Sequence, residues 1–239
     1  MNSHSSSDPS GGTPQLTAPR LTISPTRLPA FVDGLCEMAH RLPLARLLVG
    51  IAGIPGSGKS TLAELIHQEL HRRDPDIARI LPMDGYHLPN DQLDRLKLRP
   101  LKGLPPTYNP QAFIDALRLA RLRVQAFNFP LYDRDLHDIV LRDTPQQRID
   151  RAVRIVLTEG NFLLLRDPPW SQIAPLLQFS LMLDTDPALA RERLLARHQR
   201  GGRSPDDALA HYLRVDEPNT RLVLERSTAP RFVLHWLDE

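Results

Sequence analysis

With 239 residues, 41% hydrophobic and 24% charged, the chain is long enough for one sizeable core, too short for a second complete domain, and globular in composition. A formal net charge of +2 is too small to point to a nucleic-acid partner; of the 30 cationic residues 27 are Arg, and the only lysines are Lys59, Lys97 and Lys102. The single cysteine, Cys36, excludes an internal disulfide and a cysteine-built metal site, and the longest apolar run, around LLVGIAGI, is far short of a membrane span, so a cytoplasmic location is expected.

Residues 1–29, rich in Ser, Pro and Gly and without an apolar stretch, lack the pattern of a signal peptide and read as a disordered N-terminal tail ahead of one domain over 30–239. Phe31, Leu35, Met38, Ala39 and Leu42 have the spacing of a short amphipathic helix. RLLVGIAG is then a buried strand ending in Gly, KSTLAELIHQELHRR a helix, and ARILPMD a second strand that opens into a loop rich in Pro, Gly and Asn. NPQAFIDALRLARLRV is a helix capped by Asn109 with Pro110 at its first position. RIVLTEGNFLLL and FSLMLDTD read as strands, DPALARERLLARHQR and SPDDALAHYLRV as helices separated by Gly201-Gly202, and RFVLHW as a last short strand. Strands alternating with helices predict an α/β three-layer fold, a parallel sheet covered on both faces, with ligands beyond the carboxyl ends of the strands.

The first strand runs straight into Gly53-Ile54-Pro55-Gly56-Ser57-Gly58-Lys59-Ser60-Thr61, which fits G-x4-G-K-[ST] in full between a strand and a helix. Glycines there let successive backbone N–H groups turn inward around a β-phosphate at the positive end of the helix. Lys59 is placed for the β- and γ-phosphates and the Ser60 hydroxyl for a magnesium ion. The expected ligand is therefore ATP with Mg2+. No Asn is followed by Lys, as a guanine-reading motif would require, and no Asp-Glu pair follows the strand RIVLT, where Glu159 stands instead. Transfer to a bound acceptor is left. Asp84 follows the second strand and should overhang the same sheet edge, where a carboxylate can take the proton of an acceptor hydroxyl; Asp84-Gly85 is equally a turn signal.

The flanking motifs carry a resemblance. MDGYHLPN continued by LKGLPPTYNPQAF resembles the bacterial type I pantothenate kinases, FPLYDRDLHD resembles the uridine kinases, and TEGNFLLL resembles the Glu-Gly segment of uridine kinases, phosphoribulokinases and pantothenate kinases. From about residue 46 to 233 the order resembles this superfamily of P-loop small-molecule kinases, nearest its bacterial nucleoside/nucleotide branch, some members of which are called fructose kinases. The resemblance implies Asp84 as catalytic base, Glu159 as a magnesium-shell carboxylate, and Tyr86, His87, Lys102, Tyr108, Tyr132, Asp133, Arg134, His137 and Asn161 as an acceptor pocket. Arg134 stands where uridine kinases usually carry an aromatic, which weakens the nucleoside reading. A lid is implied over RERLLARHQRGGR, where Arg193, Arg197 and Arg200 share a helix face and Arg203 follows across the two glycines; Arg193 and Arg197 would contact the nucleotide, with Arg197 on the transferring phosphate. Asn219 is either a polar contact near the acceptor or a helix cap. The expected partners are a small-molecule acceptor (a sugar, a nucleoside or a pantothenate-like compound) and, in a homodimer, a second copy; neither nucleic acid nor a membrane is expected. Two rivals stay open: a nucleotide hydrolase with water as acceptor, and an ATP-dependent regulator that recruits a partner.

Overall fold

The structure is a computed structural model describing residues 18–237. Its strands are β1 (Arg20–Ile23), β2 (Leu47–Ala52), β3 (Ala78–Ile80), the short β4 (Phe127–Asn128), β5 (Leu131–Asp133), β6 (Asp138–Val140) and β7 (Arg148–Ile149), then β8 (Ile155–Gly160), β9 (Phe179–Leu183) and β10 (Phe232–Trp236). The helices are α1 (Leu28–His40), α2 (Lys59–His71), α3 (Asn90–Arg95), α4 (Pro110–Arg121), α5 (Pro187–Arg200), α6 (Pro205–His211) and α7 (Glu217–Arg226), the last two joined by a π-helical turn, Tyr212–Asp216.

Six strands form one sheet in the order β1-β10-β9-β2-β8-β3, and every neighbouring pair is parallel. Alternation along the strands divides the core. Leu47, Val49 and Ile51 of β2 and Ile155 and Leu157 of β8 meet Val32, Leu35, Leu62, Ile66 and Leu70 of α1 and α2 on one face. Leu48 and Val156 point the other way, into a cluster with Phe113 and Leu117 of α4 and with Phe162 and Trp170. This is the predicted three-layer α/β arrangement.

The domain boundary expected at residue 29 moves. Residues 1–17 of that stretch lie outside the described residues, but Arg20–Ile23 pair in parallel with β10, and Ile23 and Leu28 are buried. The apolar positions Leu21, Ile23 and Leu28 bury surface that the Ser/Pro-rich average concealed. Other bounds tighten. The helix predicted to Val124 ends at Arg121, because Leu122 turns to bridge Ala45, and the fully buried Arg46 donates to the carbonyls of Ala120, Leu122, Asp150 and Val153. The long strand from Arg154 to Leu165 stops at Gly160, where the chain breaks into turns. Between β4 and β7 the chain makes two small antiparallel pairs, β4 with β7 and β5 with β6, which lay in a stretch assigned no element from sequence.

Candidate active site

The sheet order sets the site. β2 lies between β8 and β9, and β3 is on the far side of β8, so the loops after β2, β8 and β3 lie side by side at one sheet edge. In register, Ile51 pairs with Glu159 and Ala52 with Gly160, which puts the start of the phosphate loop beside Glu159.

The loop itself is shaped for an anion. Gly56 and Gly58 have φ of +76° and +96°, backbone that a side chain would strain, and Gly58 begins α2 with no side-chain cap. The first N–H groups of α2 therefore face the loop unfilled, and the buried Ser57 Oγ has no hydrogen-bond partner. Lys59 is only 8% exposed, and its Nζ donates to the Ile54 carbonyl at 2.8 Å. Burial lowers its pKa to about 8, against the opposing pull of Glu159 and Asp84, with the Arg197 charge adding to the lowering. A buried ammonium, orphan amides and an orphan hydroxyl fit a polyphosphate.

Ser60 Oγ donates to Glu159 Oε1 at 3.1 Å. Burial, then the nearby Asp84 charge, raise Glu159 to about 7, with Lys59 and Ser60 pulling the other way. A carboxylate and a hydroxyl so paired are a donor set suited to Mg2+, which would neutralise phosphate charge when bound.

Asp84 lies in a 3-10 turn, Met83–Tyr86, brought close to Glu159 by a missing side chain. A Cβ on Gly160 would come within 2.6 Å of Met83 Cβ, so Gly is what lets the turn cross the end of β8. Gly85 does the same for the opposite wall, where a Cβ would meet the Pro130 carbonyl at 2.0 Å. The Asp84 side chain is exposed among buried neighbours, and its Oδ1 accepts from the Tyr108 hydroxyl at 3.0 Å. Tyr108 is buried edge-on against Phe162 and Trp170, and burial, then the Asp84 charge, push its pKa well up, so it stays a donor. His87 stacks on Tyr108 at 3.9 Å and contacts Tyr132 at 5.2 Å. Its Nδ1–H donates to the Asp84 carbonyl at 2.8 Å, which leaves Nε2 as an acceptor, and burial keeps its pKa low.

Not every residue predicted for the acceptor pocket faces it. Tyr86 is buried against Phe113 at 5.0 Å and belongs to the core. Asp133 is committed to its own turn: Oδ1 accepts from the amides of Asp135 and Leu136 and Oδ2 from Arg142. Lys102 Nζ donates to Asn90 Oδ1 and the His137 carbonyl, both at 2.7 Å, and stands over the Tyr132 ring. It ties the Asn90 and His137 segments together beside Tyr132, and His137, itself exposed with φ +50°, enters through its backbone. Arg134 is exposed, with its charge felt at Glu159; Asn161 is half-buried just past β8. Arg193 and Arg197 are exposed on α5. Asn219 is buried and donates to the Gly103 carbonyl at 2.8 Å, so it anchors the loop that follows Lys102 rather than capping a helix. Sequence reasoning missed His198 and Asp216, which bond to each other at 2.7 Å behind the lid; the DEPN run gave no signal that an acidic residue there is buried.

Fold and loop together define a nucleotide-binding P-loop protein with an acceptor side. No family model matches the chain. It is 35% identical over 199 residues to the uncharacterized protein YggC of Escherichia coli (strain K12), covering 82% of this chain and 81% of that one. It is 33% identical over 200 residues to a Schizosaccharomyces pombe protein provisionally named uridine kinase C227.14, covering 80% and 84%. Among solved structures it is similar to a provisionally named fructose transport system kinase from Silicibacter sp. TM1040, with a TM-score of 0.77, 28% identity, and 86% and 98% of the two chains covered. The chain belongs to the P-loop small-molecule kinases of the uridine kinase and pantothenate kinase superfamily, and is an ATP-dependent phosphotransferase acting on a hydroxyl group. Among the described residues no helix is long and apolar enough to cross a membrane.

Proposed function

We propose that the γ-phosphate of Mg·ATP passes to a hydroxyl of a sugar such as fructose, with Asp84 as the base. The observation that carries this is the Asp84 carboxylate: exposed to the cleft, anchored through Oδ1 by Tyr108, and beside Glu159, Ser60 and Lys59. One oxygen is held and the other is free for the acceptor. The acceptor oxygen attacks the γ-phosphorus, the bond to the β–γ bridging oxygen breaks, ADP carries away that electron pair, and the hydroxyl proton goes to Asp84. Lys59 follows the charge on the phosphate, while Ser60 and Glu159 would hold a magnesium ion that neutralises it. Arg193 and Arg197 on α5 extend the nucleotide contact, with the Arg197 charge already felt at Lys59. His87 Nε2 and the Tyr132 ring form the acceptor wall, with Arg134 and Asn161 at its mouth.

A sugar is favoured on two grounds. The Silicibacter protein is named for fructose transport and aligns over 86% of this chain at 28% identity. Arg134 also replaces the aromatic expected to stack on a nucleoside base. Purified protein with Mg·ATP, assayed against sugars, nucleosides and pantothenate, should transfer phosphate fastest to a sugar. With the best acceptor, Asp84→Asn should lower kcat by about 10²- to 10⁴-fold, the range for a positioned base, and leave ATP affinity unchanged. Transfer at the parent rate would end the assignment of Asp84. Full turnover with no acceptor but water would end the kinase reading.

A further inference from the structure

The lid ends in a hydrogen-bond chain that the phosphate chemistry leaves unused. α5 stops at Arg200, Gly201 and Gly202 reverse the chain, and Arg203 returns to put Nη1 2.7 Å from His198 Nδ1. A guanidinium only donates, so Nδ1 is the acceptor and the ring proton sits on Nε2, which donates to Asp216 Oδ2 at 2.7 Å. His198 and Asp216 have side chains only 10% and 9% exposed, so the inner bond is shielded from water.

The π turn is what aims Asp216. At about 100° per residue, positions five apart on a regular α-helix lie about 140° apart around the axis, so His211 and Asp216 would diverge. The wider π turn brings Asp216 round to the side of His211, whose ring meets His198 edge-on at 4.7 Å. The ligand atoms of His198, His211 and Asp216 lie within 4.8 Å of one another, a spacing that invites a metal. A metal-holding histidine, however, donates its other ring nitrogen to an acceptor, whereas here that nitrogen faces a cation. The group is organised to hold Arg203.

The same helix also reaches the acceptor loop. Thr220 Oγ1 donates to the Asp216 carbonyl, Asn219 to the Gly103 carbonyl, and Val215 lies so close to Gly103 that a Cβ there would be 3.0 Å from it. Gly103 follows Lys102, which clamps the acceptor wall. Arg203 in turn makes its charge felt at Tyr132, on the acceptor side, as Arg197 does at Lys59 on the donor side.

We infer that His198, oriented by Asp216, is a positioning residue that presets Arg203 over the acceptor half of the cleft, where it meets the phosphoryl group as it arrives on the acceptor oxygen. This rests on the kinase reading above. A free arginine would have to give up its rotamer freedom in each turnover; a clamped one has already done so.

The test is a double-mutant cycle in kcat with the best acceptor. Arg203→Ala and His198→Phe should each lower kcat by about 10- to 100-fold, with KM for ATP unchanged, as expected for loss of a preset cation. The double variant should be no slower than either single one, because both remove the same interaction. His198→Gln, whose amide can accept from Arg203 and donate to Asp216, should recover most of the loss. Multiplying losses, or His198→Phe at the parent rate with Arg203→Ala slow, would overturn the inference and leave the kinase reading intact. Arg203→Ala at the parent rate would overturn it as well. A second measurement needs no acceptor: trypsin cleavage after Arg203, read by mass spectrometry, should quicken several-fold in folded His198→Phe. Unchanged cleavage would mean that His198 does not hold Arg203, whatever the fate of the kinase reading.

Discussion

The donor half of the cleft is one unbroken run of residues, Gly53 to Thr61, whose working groups are mostly backbone amides set by two left-handed glycines and a helix end. The proposed acceptor half is gathered from distant segments: Asp84 on one turn, Tyr108 ahead of α4, Tyr132 on β5, and Lys102 tied to Asn90 and to the His137 carbonyl. The first is a single covalent object that recognises a group common to all its substrates. The second is a set of side chains joined by individual hydrogen bonds, each of which can change without unfolding the protein. A family of kinases can keep the one and vary the other, and that is how one fold serves several acceptors.

The contrast can be broken first on the donor side. Lys59→Ala removes the buried ammonium and should lower turnover by at least ~100-fold, since several kcal/mol of transition-state stabilisation go with it and each ~1.4 kcal/mol is tenfold. Near-normal turnover in a folded variant would sink the phosphate-loop assignment. On the acceptor side single bonds should matter less. Tyr108→Phe keeps the ring against Phe162 and Trp170 and deletes only the hydroxyl on Asp84. A drop of about tenfold in kcat is expected from losing one hydrogen bond to a charged group, with ATP affinity unchanged. A loss as large as that of Asp84→Asn would mean that Tyr108 acts on the reacting atoms directly.

The smallest effect lies where the halves meet. Burial and Asp84 raise Glu159 from its ordinary 4.5 to about 7, so between those values the folded protein holds a proton that the unfolded chain releases. Stability contributed by this group is therefore full below about pH 4.5 and lost as pH rises through about 7. Glu159→Gln escapes that loss. In the absence of ligand it should melt about 2–4 °C higher than the parent at pH 8, for a gain on the order of 1 kcal/mol, once the forfeited attraction to Lys59 is set against the relieved burial. The difference should vanish near pH 5, while magnesium-dependent transfer suffers at every pH. Calorimetric melting at both values checks this, and a variant that melts lower at pH 8 than at pH 5 relative to the parent would contradict it.

This division also explains what could be read from sequence. The phosphate loop, the parallel sheet and the positions of Asp84 and Glu159 follow from local patterns: a glycine spacing, strand–helix alternation, a carboxylate just past a strand. Tyr86 could not be separated from Tyr108 that way. Both are aromatics in promising motifs, yet one packs on Phe113 and the other reaches Asp84, and only the tertiary path decides. Asp133 looked like a ligand contact and is a turn former, because an Asp can bond to the amides that follow it whatever its motif. Asp216 was invisible because its burial depends on a π turn, which breaks the 3.6-residue period used to place helical faces. In the same way, four residues of β1 were averaged into a polar tail.

That strand has a consequence for how the protein is made. Among the described residues β1 pairs only with β10, so Arg20–Ile23 has its partner in Phe232–Trp236, at the far end of the described chain. While the ribosome works forward at roughly 5–20 residues per second, β2, β3, β8 and β9 can assemble in turn, but the edge they leave is closed only after Phe232–Trp236 has emerged. For that interval β1 has no strand partner and the flank of β9 has no neighbour, which makes the nascent sheet open to pairing with another chain along that side. The sheet of this kinase is thus complete only once β10 has been made, and any factor that shelters it during synthesis should be needed on the β9 flank, far from the phosphate-binding loop in sequence.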